Sequence, residues 1–160
     1  MLRTPSFTTD QMQWDTLERT APALDIRLIA VPVAGRSDLE NAFAALRRDR
    51  PDALFGSNSA AILILRKQIA EFAAQERLPA MYPFTEVTEA GGLMSYGASR
   101  NDLFHRAASY VVKILNGAPP ANMPIEQPTK FELVINLKAA STIGVTLPRE
   151  ALLLADSVIE

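Results

Sequence analysis

Between residues 8 and 24 apolar side chains return every three or four positions. Trp14, Leu17, Ala21 and Leu24 share one face of a helix, and Ser6 or Thr8 stands where its cap belongs. The rhythm then changes. "IRLIAVPV" is short and rich in β-branched residues, which predicts a strand over 26–33, with Pro32 marking its end or an edge position. Ser37-Asp38-Leu39-Glu40 has the form of a capping box, the serine hydroxyl accepting from the Glu40 amide. Leu39, Phe43 and Leu46 make the apolar stripe of the helix behind it, which Pro51 stops. "DALF" predicts a second strand. After Gly56 a long helix is expected to run to about Gln75, burying Ile62, Leu65, Ile69 and Phe72. "LPAMY" predicts a third strand and "LMSY" a fourth, with a loop between them that carries Gly91 and Gly92.

The second part of the chain repeats these signals more loosely. Residues 101–115 read as a helix with Phe104, Ala108, Val111 and Leu115 aligned, stopped by Asn116-Gly117. "APPANMPIEQPT" holds four prolines and is expected to run extended over the surface. It is the one composition shift in the chain, and no internal repeat accompanies it. "FELVIN" alternates into a fifth strand, a short helix follows at 138–143, and a last helix begins at Pro148. Strands alternating with helices imply parallel pairing with crossover helices. The predicted class is α/β, a three-layer sandwich on a mostly parallel sheet.

Composition narrows the function. The 160 residues suffice for one domain with a proper core, and 48% hydrophobic with 21% charged residues is ordinary for a globular chain. Net charge is −2 and the basic residues are scattered, so no concentrated basic face is available for a nucleic acid. With no cysteine and a single histidine, His105, disulfides, thiolate sites and multi-histidine metal sites are ruled out. His105 sits on the 101–115 helix without a carboxylate or nucleophile placed beside it and reads as an exposed helix residue. No phosphate-cradling glycine motif is present, and no cofactor is implied. The N-terminal "MLRTPSFTTDQMQW" lacks the basic-then-apolar layout of a secretion signal. An exported form is therefore expected to be a mature chain or a fragment.

In an open parallel sheet every strand ends, and every following helix begins, at one edge. Free amides and the positive ends of helix dipoles gather there. Ser57, Asn58 and Ser59 fall at that edge after the second strand. Tyr82 to Glu86 follow the third and Ser95 to Ser99 the fourth, while Ser6 and Thr8 precede the first helix. Hydroxyls, an amide and tyrosines without a nucleophile–base pair suit binding more than catalysis. Helix capping alone also accounts for serine and asparagine in the "GSNS" turn, and both readings stand at this point.

"YPFTEVTEAGGLMSYG", followed by "RAASYVVKILNGAPPANMPIEQPTKFELVINLKAASTIGVTLP", strongly resembles the substrate-binding proteins of a bacterial ABC-transporter family. That family includes tryptophan- and aromatic-amino-acid-binding lipoproteins of the TrpX type. The similarity runs from about residue 3 to the end, and "PIEQPTKFELVINLKAA" is its most specific block. The resemblance implies a type I periplasmic-binding fold, in which two Rossmann-like lobes hold a solute between them. This chain corresponds to the second lobe over 1–160, with 98–128 as hinge crossover helix and proline-rich segment. The first lobe, and the strand that should precede Ser6, would lie outside it. The 101–115 helix, which packs on the first lobe in the family, is then expected to fold back on the sheet or to pair with a second copy.

By the same resemblance, "GSNS" aligns with a Thr-Asp-Asn-Thr segment of the amino-acid-binding relatives. Asn58 matches the asparagine and Ser59 keeps a hydroxyl. Ser57 replaces an aspartate that pairs with a ligand ammonium. Tyr82 and the "GGLMSYG" turn with Tyr96 match the cleft edge and hinge, "LRTPSF" with Ser6 resembles the family's "NP" segment, and Glu86 stands where close relatives often carry arginine. The implied function is the solute-binding part of an ABC importer, extracytoplasmic, acting on a small organic solute and a membrane permease, and not an enzyme. The alternative of another class is the effector-sensing domain of a LacI-like transcription regulator, which shares the fold.

Overall fold

A buried dipeptide at the very start of the chain, one apolar residue and one charged, organises the sheet. In the computed structural model, which describes residues 1–160, Leu2–Arg3 form strand β1 and pair in parallel with β2, Val31–Pro32. The strand expected to lie outside the chain is therefore inside it. Two residues carry no period, so only their neighbours reveal them. Strand β3 (Leu54–Phe55) lies on the far side of β1. A parallel bridge joins Leu2 to Gly56, and the Ser57 amide donates to Leu2 O at 2.9 Å. β4 (Ala80–Tyr82) and β5 (Met94–Ala98) continue in parallel, in the order β3-β4-β5.

Helices alternate with these strands. α1 (Thr8–Thr20) follows β1 and α2 (Leu39–Asp49) follows β2. α3 (Ala60–Ile64) and α4 (Arg66–Gln75) divide the single helix expected after β3 at Leu65. The α3–α4 face holds Ile62, Leu65, Ile69 and Phe72, all buried as the periodicity predicts, each worth about 1.5–3 kcal/mol in burial. Phe72 stacks on Phe43 at 4.0 Å between ring centroids, which locks α4 to α2. α5 (Thr85–Glu89) occupies what reads as a loop and buries Val87 fully.

Several local expectations change. α1 gives way after Thr20 to a 3-10 turn, Ala21–Leu24, where Pro22 supplies no amide. Of its expected apolar face only Ala21 is buried; Leu24 is exposed and Trp14 half-buried, and the one buried residue of α1 itself is Asp10. Of the strand expected at 26–33 only Val31–Pro32 pairs, on the edge that suits a residue without an amide. Ser37 lies inside a 3-10 turn and does not cap Glu40. Asp38 instead closes the start of the 3-10 turn, its carboxylate accepting from the amides of Ala34 at 2.8 Å and Gly35 at 3.2 Å, and α2 has no side-chain cap. Those two amide bonds hold its carboxyl below the usual carboxylate range.

The larger correction concerns the return from β5. α6 (Arg100–Leu115) leaves the sheet edge, and β6 (Phe131–Asn136) comes back antiparallel to β5. The reason lies at the base of the excursion, where the Ser99 amide donates to Lys130 O at 2.9 Å. Residues 99–130 thus close like a long hairpin, and the chain re-enters at the edge it left. α7 (Leu137–Ile143) and α8 (Arg149–Leu154) follow. A strand absent from the sequence reading, β7 (Ser157–Ile159), then pairs in parallel with β6.

α6 does not fold back on the sheet. None of its residues is buried. The proline-rich segment runs along one side of it: Tyr110 Oη donates to Pro124 O at 2.6 Å, and Arg106 meets both Glu126 and Thr129. No helix of the chain is long and apolar enough to cross a membrane.

Candidate functional site

The ends of β1, β2 and β3 meet through one hydroxyl. Thr4 Oγ1 donates to Val33 O at 2.8 Å and shares a hydrogen bond of 3.0 Å with Ser59 Oγ. Ser59 Oγ also accepts from the Ile62 amide at 3.4 Å, so it caps α3 while tying that helix to β1. Thr4 and Ser59 are both buried.

Below this contact lies a buried ion pair. Arg3 Nε donates to Asp10 Oδ2 at 2.9 Å, with the two side chains 8% and 0% exposed. Asp10 Oδ1 accepts from the Thr4 amide at 2.8 Å, Arg3 Nη2 reaches Gln11 Oε1 at 2.9 Å, and the guanidinium lies 4.7 Å from the Trp14 ring centroid. Both Asp10 oxygens and two of the Arg3 nitrogens are engaged, which is what a buried charge requires. The pair fastens the first turn of α1 to the end of β1.

That turn presents free amides. Phe7 is the residue before α1 and offers no side-chain cap, so the first amides of this 13-residue helix face the rim with the positive end of its dipole. Ser6 is exposed in the turn before it. On the β3 side, the Asn58 amide donates to Gln13 Oε1 at 3.1 Å, holding the "GSNS" turn against α1, while the Asn58 side chain is exposed. Ser57 is fully buried and its hydroxyl has no hydrogen-bond partner in the protein. Capping therefore explains Ser59 but not Ser57.

A second group forms where β4 and β5 end. A Cβ on Gly97 would stand 2.0 Å from Pro83 O, so these backbones touch. Glu86 and Arg100 pair at 2.6 Å across the same junction, between α5 and the first turn of α6. The turns at 82–86 and 95–100 thus converge.

Two expected residues stand apart. Tyr82 turns into the core. Its ring is wedged between Gly56 and Gly92, where an added Cβ would lie 2.9 Å from ring atoms on either side. Burial raises its hydroxyl pKa, and that hydroxyl has no partner. Tyr96 is half exposed and stacks on Phe131 at 5.8 Å. It projects from the sheet face opposite Ser95. Removing the Tyr82 hydroxyl alone, by Tyr82→Phe, is expected to leave stability unchanged or raise it by up to about 1 kcal/mol, because an unpaired buried group is lost. Equilibrium unfolding in urea measures this.

Sequence reasoning did not reach Thr4, Arg3, Asp10 and Gln13. The available signal was slight: Asp10 sits in the first turn of a helix, where a carboxylate is commonplace.

Comparison with known proteins was made on this geometry. The family model described as ABC transporter substrate binding protein matches residues 1–159. No curated protein sequence matches the chain. Among solved structures, a conserved domain protein from Vibrio cholerae superimposes with a TM-score of 0.89 at 23% identity, covering 98% of this chain and 53% of that one. An ABC domain from Streptococcus pneumoniae in complex with L-Trp gives 0.88 at 23% identity, covering 99% and 53%. A ligand-free, open substrate-binding protein with adhesive properties from Clostridium difficile gives 0.70 at 17% identity, covering 99% and 52%. At these identities the likeness establishes the fold, and the chain spans about half the length of each of these structures.

Proposed function

The chain belongs to the ABC transporter substrate-binding protein family, and from that premise we propose that its strand-end rim is one wall of a solute cleft. The solute is a small organic compound with an anionic end, an amino acid or an aromatic carboxylate. The whole protein closes on it outside the cytoplasm and hands it to a membrane permease. The observation that carries this reading is the buried Ser57 hydroxyl, unpartnered beside the uncapped start of α1. A ligand carboxylate placed there accepts from backbone amides in a favourable dipole. Ser6, Asn58 and Ser59 complete that part of the wall, and Glu86 with Arg100 sets the charge at its mouth. Tyr82 supports the wall from below and Tyr96 flanks it.

A neighbour of the same fold was solved with L-Trp, which makes aromatic amino acids the first solutes to try. Serine at position 57 is buried and uncharged, so no carboxylate stands there for a ligand ammonium, which favours solutes recognised through their carboxylate. Family membership favours binding over catalysis. No observation favours the LacI-like regulator.

Thermal shift and calorimetry on the longest chain its gene encodes test the reading, across L-tryptophan, other amino acids and aromatic carboxylates. One class is expected to raise the melting temperature. Ser57→Ala is expected to weaken that solute about tenfold, or 1.4 kcal/mol. Its effect on the melting temperature of the free protein should be negligible, since the hydroxyl it removes bonds nothing. A flat response to every class, or unchanged affinity in both Ser57→Ala and Asn58→Ala, overturns it.

A further inference from the structure

Residues 99–130 bond mainly among themselves. Arg106 meets Glu126 and Thr129, Tyr110 Oη donates to Pro124 O at 2.6 Å, and Ser99 caps α6 by accepting from the Asp102 amide at 3.4 Å. No residue of α6 is buried, so no packed core joins this unit to the sheet. The connection has three parts. Two are backbone: the crossings at Ser99 and Lys130, tied together by the Ser99 amide at 2.9 Å. The third is a side-chain pair, in which Arg100 Nη1 donates to Glu86 Oε1 at 2.6 Å. No other side chain of residues 100–129 makes a hydrogen bond or ion pair outside the unit. The pair stands at a crevice of about 230 Å³ between α5 and the start of α6, lined mostly by polar residues that include Glu89, Asn101 and Glu132. Such a crevice offers little apolar contact to fix an angle.

We propose that Arg100 and Glu86 are positioning residues, and that their pair sets the angle at which the 99–130 unit leaves the sheet. The β5–β6 ladder runs to Ala98 opposite Phe131 and holds the two crossings side by side. Beyond that register the backbone turns at Ser99 and Lys130 remain free to rotate together, and such element-terminal residues are where hinges form. An exposed ion pair contributes little to global stability. It decides an orientation where no packed contact competes with it, which is the situation of α6. Glu86 belongs to the turn region after β4, so the pair also ties the unit to the rim. On the solute-cleft reading, the angle then governs how far the rim stands open. The pair itself is argued, and tested, without a solute.

Absence of native cysteine lets two introduced ones carry spin labels without background. Lys67→Cys on α4 and Lys113→Cys on α6 replace exposed residues, one on each side of the junction. Double electron–electron resonance on the 160-residue chain is expected to give one narrow distribution of label distances. Arg100→Gln and Glu86→Gln should each broaden it at least twofold, with the circular-dichroism melt unchanged. Exchanging the charges, Glu86→Arg with Arg100→Glu, should restore the narrow distribution. Salt at 1 M, where the screening length is about 3 Å, should broaden the parent and leave the two glutamine variants as they are. Arg106→Gln is the control: it breaks an ion pair that lies wholly inside the unit, and the distribution should stay narrow. Widths that do not change in either glutamine variant overturn the proposal. So does a parent insensitive to salt, equal broadening by Arg106→Gln, or a folded charge exchange that stays broad.

Discussion

Asp10→Ala is expected to destabilise the fold by about 3–5 kcal/mol, the usual consequence of leaving a buried charge without its partner. The carboxylate is fully buried, and one side chain serves three purposes. It neutralises Arg3, accepts the Thr4 amide, and anchors the first turn of α1 to the end of β1. Its removal strands a guanidinium only 8% exposed and an amide with no other acceptor. For a domain of this size the loss corresponds to a fall in melting temperature of roughly 10 °C or more. The mechanism separates from simple loss of packing by a second variant. Arg3→Met combined with Asp10→Leu removes both charges and fills similar volume, so it is expected to recover most of the loss. Differential scanning calorimetry of the two variants decides the matter. A single variant that melts within a degree of the parent would mean the pair contributes nothing, as exposed ion pairs often do.

Gly97→Ala is expected to cost several kcal/mol and to spread the rim. The added methyl would stand 2.0 Å from Pro83 O and 3.0 Å from Pro83 C. Both are backbone atoms held at strand ends, so no side chain can swing aside. Either β5 separates from the turn after β4 or that turn shifts, and in both cases the Glu86–Arg100 pair at 2.6 Å is pulled apart. Equilibrium unfolding measures the cost, and amide exchange at 83–86 and 97–100 reports the local opening. Gly35 supplies the control. Its backbone is extended at φ −168° and its position is open, so Gly35→Ala should be silent. Equal stability of the two alanine variants would show that the close approach at Gly97 is not maintained in solution.

The stretches legible in the sequence share a property. The 3.6-residue stripe of Ile62, Ile69 and Phe72, the strand at "FELVIN" and the Asn116-Gly117 stop are each written in a single continuous segment, and each recurs in the fold, though "FELVIN" is buried at its end rather than on alternate residues. β1, α5 and β7 are not written that way. They are two, five and three residues long, shorter than a period can establish, and they exist because neighbours already in place offer them bonds. Trp14 and Leu24 look like core on a helical wheel. Yet α1 turns Asp10 inward, because Arg3, distant from any helical pattern, demands a counter-charge.

The site divides along the same line. Alternating strands and helices were enough to place Ser57, Asn58 and Ser59 at a strand end, and the resemblance of "PIEQPTKFELVINLKAA" was enough for the family. Only the tertiary structure turned Tyr82 into the core, sent β6 back antiparallel to β5, and tied three strand ends together through Thr4. Periodicity, capping and turn chemistry act over a few residues and can be read in order along the chain. Side-chain direction at a rim, strand sense after a long excursion, and the partner of a buried charge depend on contacts between distant residues, and a linear pattern does not carry them.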